Sequence, residues 1–187
     1  MAFNKVPPID LRVNRLKISP NDLKDIFELA GLESKFIDGS PDGLEMSPSS
    51  GDIRDWPGYH HGQWSVQDRS SQWVAALLEP QQGERVLDAC AAPGGKATHL
   101  AELMQDIGEI WAVDRSKERL QRVVESTDRL GITTIKPLVA DVQNLLNEKP
   151  SWRNYFDKIL LDVPCSGLGT LSRHPDARWR ITKQKIN

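Results

Sequence analysis

Three aspartates recur just past the ends of short apolar runs: Asp114 after EIWAV, Asp141 after IKPLVA and Asp162 after KILL. A cysteine, Cys165, follows the last of them within the loop DVPCSG. A lone acid after a strand ordinarily caps a helix or sits in a loop. Three at one edge of one sheet are a row of hydrogen-bond acceptors facing a ligand. A thiol is nucleophilic even when only a few per cent of it is thiolate at neutral pH. Cys165, on the loop beside Asp162 and near basic residues, therefore reads as a nucleophile with Asp162 as its acid partner. Cys90 stands among small residues and reads as a packing group.

The acids converge on the stretch RVLDACAAPGGK, Arg85 to Lys96, where a short apolar run stops at an acid and a glycine-rich turn opens a helix. Asp114 lies about twenty residues past Gly94, the separation at which a carboxylate on the second strand accepts both hydroxyls of a ribose. A phosphate-cradling P-loop requires GxxxxGK[ST]. Here the first position of that spacing is Cys90, and Lys96 is followed by Ala97, so the pattern fails twice. A dinucleotide fingerprint wants a third glycine that PGGK lacks. S-adenosylmethionine needs only close backbone approach, a ribose acceptor and a polar group for the adenine, and it fits best.

The elements that must hold these residues follow from periodicity. Arg85–Asp88, Glu109–Asp114, Ile135–Val139 and Lys158–Leu161 read as strands separated by helices, one with Ala97, Leu100, Ala101 and Met104 recurring, the next with Leu120, Val123, Val124, Thr127 and Leu130. Strands alternating with helices imply a parallel sheet with right-handed crossovers. Pro137 cannot donate a ladder hydrogen bond, so its strand belongs at an edge, and the order 3-2-1-4 puts it there. Upstream, IDLRVNRLKI over Ile9–Ile18 alternates like a half-buried strand. Ser19 caps a helix bearing Leu23, Ile26, Phe27 and Ala30, and residues 33–62 hold two further short strands. A stretch near Trp64 is a strand, and a helix with Trp73, Val74, Leu77 and Leu78 follows it. The fold class expected is α/β, a partial Rossmann-like sheet over residues 66–187 preceded by a small α+β module over residues 1–65.

Composition narrows the class. Charged residues make up 27% and the net charge is -2, so no global charge announces a nucleic-acid partner. Residues 171–187 nonetheless gather Arg173, Arg178, Arg180, Lys183 and Lys185 against Asp176 alone, which suits either a solvated end or a phosphate-contacting patch. The two cysteines have no metal-ligand spacing, so no metal is expected, and no apolar run reaches bilayer length. A cytoplasmic monomer is expected. His60, His61 and His174 read as solvated loop residues, while Trp56, Trp64 and Trp179 suit stacking on bases or packing equally.

The motifs DACAAPGGK, AVDRS, VADV and LLDVPCSGLGTLSRHPDARW, with LRVN and SVQD upstream, resemble the Sun-type RNA cytosine-5 methyltransferases over nearly the whole chain. That resemblance implies a methyltransferase acting on carbon 5 of cytosine in RNA, ribosomal RNA above all. It also implies an S-adenosylmethionine site lined by Cys90, Ala91, Ala92, Pro93, Gly94, Gly95, Lys96, Asp114, Asp141 and Asp162, and an RNA-binding role for the N-terminal module. A thiolate would add to carbon 6 while Asp162 stabilises the adduct at ring nitrogen 3. The family pattern departs from the direct reading of Cys165: its attacking cysteine lies in a later Thr-Cys motif, and the PCSG cysteine resolves the adduct. No Thr-Cys pair occurs here, so the chain is expected to be an inactive fragment of a longer enzyme. A non-catalytic RNA-binding or ribosome-assembly scaffold is the alternative, and a DNA methyltransferase attacking through Cys165 a third.

Overall fold

A computed structural model describes residues 8–48 and 51–163. Cys165, His174, Trp179 and the basic stretch 171–187 lie outside the described residues. Two four-stranded sheets organise the chain. The first is antiparallel: β1 (Ile9–Val13), β2 (Ser34–Ile37), β3 (Ser40–Met46) and β4 (Trp64–Val66) lie in the order β2-β3-β1-β4. Helix α1 (Pro20–Leu29) covers it, with Ser19 accepting from the Asp22 amide at 3.2 Å as N-cap and Pro20 in the first turn, where its missing N–H costs nothing. Leu23 and Phe27 pack with Leu11, Val13, Leu44 and Met46, and Trp56 and Trp64 close this core. Both tryptophans are therefore packing residues, and the Trp64 indole donates to the Pro57 carbonyl at 2.7 Å.

The second sheet is wholly parallel. β5 (Arg85–Asp88), β6 (Glu109–Asp114), β7 (Ile135–Val139) and β8 (Lys158–Leu160) lie in the order β7-β6-β5-β8, the expected 3-2-1-4. Pro137 sits on the edge strand, where its missing donor faces no partner. Helices α3 (Gly95–Leu103) and α4 (Lys117–Leu130) pack one face through Leu100, Ala101, Met104, Leu120, Val123 and Leu130. The other face is covered by the short helix α5 (Leu145–Glu148) and Trp152. β8 forms the opposite edge, with Ile159 and Leu161 exposed. Among the described residues no helix is long and apolar enough to cross a membrane.

One expectation fails, and a second, the helix after the strand near Trp64, holds with a different inward face. The alternation over Ile9–Ile18 yields a strand of only five residues, after which Asn14 turns the chain, and the strand is not half-buried. Asp10 and Arg12 are as inaccessible as Leu11 and Val13, because the polar face of β1 packs against other elements rather than water. Helix α2 (Arg69–Leu77), capped by Asp68, buries Gln72 and Ala75 and leaves Trp73 and Leu77 exposed. Its polar Gln72 faces inward, donating to the Leu11 and Gln67 carbonyls at 3.2 and 2.9 Å.

Candidate functional site

Because β5, β6, β7 and β8 are parallel and adjacent, their carboxyl ends share one edge, and the turn from β5 to α3 lies there with Asp114, Asp141 and Asp162. The turn is tied to its neighbours by main-chain bonds: Ala89 donates to the Leu160 carbonyl and Ala91 to the Val113 carbonyl, both at 2.9 Å, while Gly94 donates to the Ala91 carbonyl at 2.7 Å. The Ala92–Pro93 peptide is cis. Gly94 adopts φ +107°, and a Cβ there would meet the Val123 Cα at 3.1 Å, so glycine is needed for both conformation and helix packing. At Gly95 φ is not positive and a Cβ would meet only the Gln67 amide nitrogen at 3.8 Å. α3 has no side-chain cap, and its first N–H groups are left for a ligand.

Asp114 is buried at the end of β6. One of its oxygens accepts from the Ser116 amide at 2.9 Å and the other from the Ala92 amide at 3.3 Å, which pins the second strand end to the turn. Arg119 stands beside it at 3.7 Å and donates to the Ala92 carbonyl at 2.7 Å. Asp141 is exposed and accepts from the Gln143 amide at 3.0 Å. Asp162 pairs with Lys96 at 2.5 Å, joining the end of β8 to the first turn of α3. Two cavities open here. One of 340 Å³ is lined by Asp114, Asp141, Val142 and Arg119; the other, of 430 Å³, by Asp88, Pro93, Gly95, Lys96, Asp162 and Gln67. Cys90 borders both, and each lies within the range of small-ligand sites.

Cys90 is half-buried rather than fully packed away. Burial, reinforced by Asp114, Asp88 and Asp162, pushes its thiol up, so it stays protonated and suits lining rather than attack. Cys165, the residue that the sequence reading offers as nucleophile, is outside the described residues. His60 and His61 are exposed.

Asp88 is the residue that the sequence reading leaves without a role. It ends β5 at the centre of the edge, only 1% exposed, and among the described residues no donor reaches either oxygen in full hydrogen-bond geometry. Burial pushes its carboxyl up to about 7; the approaching Cys90 amide and Lys96 pull the other way and do not prevail. The signal was available: the run RVLD stops at an acid as the other three strands do, one position ahead of the turn.

A parallel sheet in this order, with a glycine turn after its first strand and acids along its carboxyl edge, is the Rossmann-like fold of methyltransferases. The pattern of the 16S rRNA methyltransferase RsmB/F family matches residues 75–187, and the chain belongs to that family. It is 46% identical over 184 residues to the probable ribosomal RNA small subunit methyltransferase B of Synechocystis, covering 98% of this chain and 41% of the relative. The crystal structure of PH0851 superposes with a TM-score of 0.93 at 36% identity, over 100% of this chain and 42% of that one. A methyltransferase homolog from Pyrococcus horikoshii gives 0.81 at 33% identity, over 98% and 56%. The chain thus spans about two-fifths of the length of the curated relatives it matches.

Proposed function

We propose that this chain supplies the cofactor site of an enzyme that methylates carbon 5 of cytosine in ribosomal RNA, with S-adenosylmethionine as methyl donor. The observation that carries the reading is the buried Asp88, without a donor among the described residues, in a cavity that Lys96 also lines and beside a second cavity lined by Asp114. One cavity offers carboxylates for ribose hydroxyls. The other offers the unmet acceptor oxygens of Asp88, suited to an ammonium that would supply the missing donors and charge, beside Lys96 and the uncapped start of α3, suited to a carboxylate. The residues present therefore fit a nucleoside joined to an amino acid better than a phosphate-bearing nucleotide. When bound, the cofactor provides an electrophilic methyl group.

The chain's own residues do the rest by position. Asp114 holds the ribose; Asp141 and Val142 border the base of the cofactor. Asp162, steadied by Lys96, stands at the mouth where the target ring would enter, placed to hydrogen-bond ring nitrogen 3. Cys165, three residues on, takes the family's adduct-resolving part. The target base must leave its stack to reach such a cleft, so a loop or flipped nucleotide is the substrate form. The antiparallel module over residues 1–65 is assigned to RNA contact, and the enzyme works as a cytoplasmic monomer.

Calorimetric titration with S-adenosylhomocysteine tests the cofactor site: one saturable site per chain is expected, and none at millimolar ligand would refute it. A chain of the relatives' full length should form a covalent complex with ribosomal RNA containing 5-fluorocytosine. Failure to trap any adduct would favour the scaffold reading.

A further inference from the structure

The motifs LRVN and SVQD lie far upstream of the cofactor turn, yet their side chains meet beneath it. Arg12 on β1 is fully buried and uses all five of its N–H donors. Nε and Nη2 donate to the two carboxylate oxygens of Glu102 on α3, each at 2.8 Å. Nη2 also donates to the Thr98 hydroxyl at 3.0 Å, and Nη1 donates to the Gly95 carbonyl at 2.7 Å and to the Gln67 side-chain oxygen. Gln67 returns to the same carbonyl, its Nε2 donating to Gly95 at 3.3 Å. Thr98 passes the contact on, donating to the Gly94 carbonyl at 2.9 Å. Gly95 is thus gripped from below by Arg12 of β1 and by Gln67 just past β4, and Gly94 is held through Thr98, which Arg12 also bonds.

Stability alone does not require this arrangement. A buried ion pair is weak evidence for stability, since apolar residues of similar volume often do as well. The fork on Glu102 occupies only Nε and one N–H of Nη2. The remaining donors go to Thr98, to Gln67 and to a main-chain carbonyl that, as part of α3, already has a helical donor available. The Gln67 and carbonyl contacts fix where Gly95 sits, and with it the N–H groups of the first turn of α3 and the Lys96 side chain.

We propose that Arg12 on β1 and Gln67 just past β4 are positioning residues that set the cofactor turn, so that cofactor affinity depends on a buried arginine of the antiparallel sheet that lines neither cavity. The proposal rests on the cofactor reading above. It gives the N-terminal sheet a second role, because whatever RNA does to β1 or β4 reaches the turn through these two side chains.

The test compares Arg12→Lys, Gln67→Leu and the double variant in the 187-residue chain, by calorimetry with S-adenosylhomocysteine and by hydrogen exchange at the Lys96, Ala97 and Thr98 amides. Lysine keeps the charge opposite Glu102 but has three donors and no planar fork, so it restores the ion pair and not the grip. Each single variant should weaken binding by about 5- to 20-fold and speed exchange at the turn, a coupling of ordinary size between linked sites. The double variant should lose little more than the worse single one, because both act on one carbonyl. A lowered unfolding temperature with unchanged affinity and unchanged exchange at the turn would overturn the proposal, as would additive losses. Should Arg12→Lys fail to fold, Gln67→Leu decides alone, since it leaves the Arg12–Glu102 pair intact: wild-type affinity and exchange would sink the idea. If the wild-type chain binds no S-adenosylhomocysteine, the cofactor reading fails, and exchange at the turn still decides whether the two residues position it.

Discussion

Asp88 makes the pH dependence of stability a direct probe of the site. Its carboxyl is pushed from 3.8 up to about 7 because burial disfavours the charge and outweighs the Cys90 amide and Lys96, with no full hydrogen bond to it among the described residues. Between those two values the folded state retains a proton that the unfolded state has released, so stability falls as pH rises through the window and levels off above it. A shift of about three units corresponds to about 4 kcal/mol in full, of which about 2.5 kcal/mol falls between about pH 5 and about pH 8. Asp88→Asn keeps the shape and does not titrate. Urea unfolding of both proteins at the two pH values gives the difference of differences. Asp42 and Glu102, also raised chiefly by burial, titrate in both proteins and cancel in the comparison. The wild type should lose about 2.5 kcal/mol more than Asp88→Asn on going to the higher pH. Parallel losses would show that the carboxyl is not held neutral and that the orphaned-acid account of the site is wrong.

Other outcomes follow from the same geometry. Asp114→Ala removes the proposed ribose acceptor and the brace on the Ala92 and Ser116 amides, and should weaken S-adenosylhomocysteine binding by at least about tenfold, or about 1.4 kcal/mol, in calorimetry. Gly62 has φ +66°, and a Cβ there would stand 2.1 Å from the Arg129 carbonyl oxygen, so Gly62→Ala should cost about 2 kcal/mol or more in denaturant unfolding, whereas Gly51→Ala, with open space around it, should cost less. Residues 1–187 contain only Cys90 and Cys165 and no Thr-Cys pair, so radiolabelled methyl transfer to ribosomal RNA should show no multiple turnover with this chain alone. Sustained turnover would move the nucleophile to Cys165.

The parallel sheet was legible because its signals are local. Each strand is a short apolar run ended by an acid, α4 has a cap in Ser116 and a stop in Gly131, and Pro137 alone ranks one strand as an edge. Once those are placed, parallel pairing brings Asp114, Asp141 and Asp162 to one edge without further information. Asp88 was less legible, since its significance lies in what does not surround it, and an unmet hydrogen bond leaves no mark on spacing. The exposed Trp73 and Leu77 of α2 mislead for the related reason that hydrophobicity predicts a buried face only where a partner surface exists to cover it.

The alternation of β1 shows the same limit from the other side. Leucine and valine facing inward imply that aspartate and arginine face water, and for an isolated module they would. Here helices α2 and α3 are docked on the polar face, and burying Arg12 and Asp10 is tolerable only because each finds a partner: Glu102, Thr98, Gln67 and the Gly95 carbonyl for the arginine, Arg69 for the aspartate at 2.7 Å. A buried, fully bonded arginine on a strand that pattern alone would leave half-exposed is therefore a sign of an interface. Helix α3 had to pack on β1 for LRVN to be stable in that place, and the residue that pins them reaches the turn proposed to hold the cofactor.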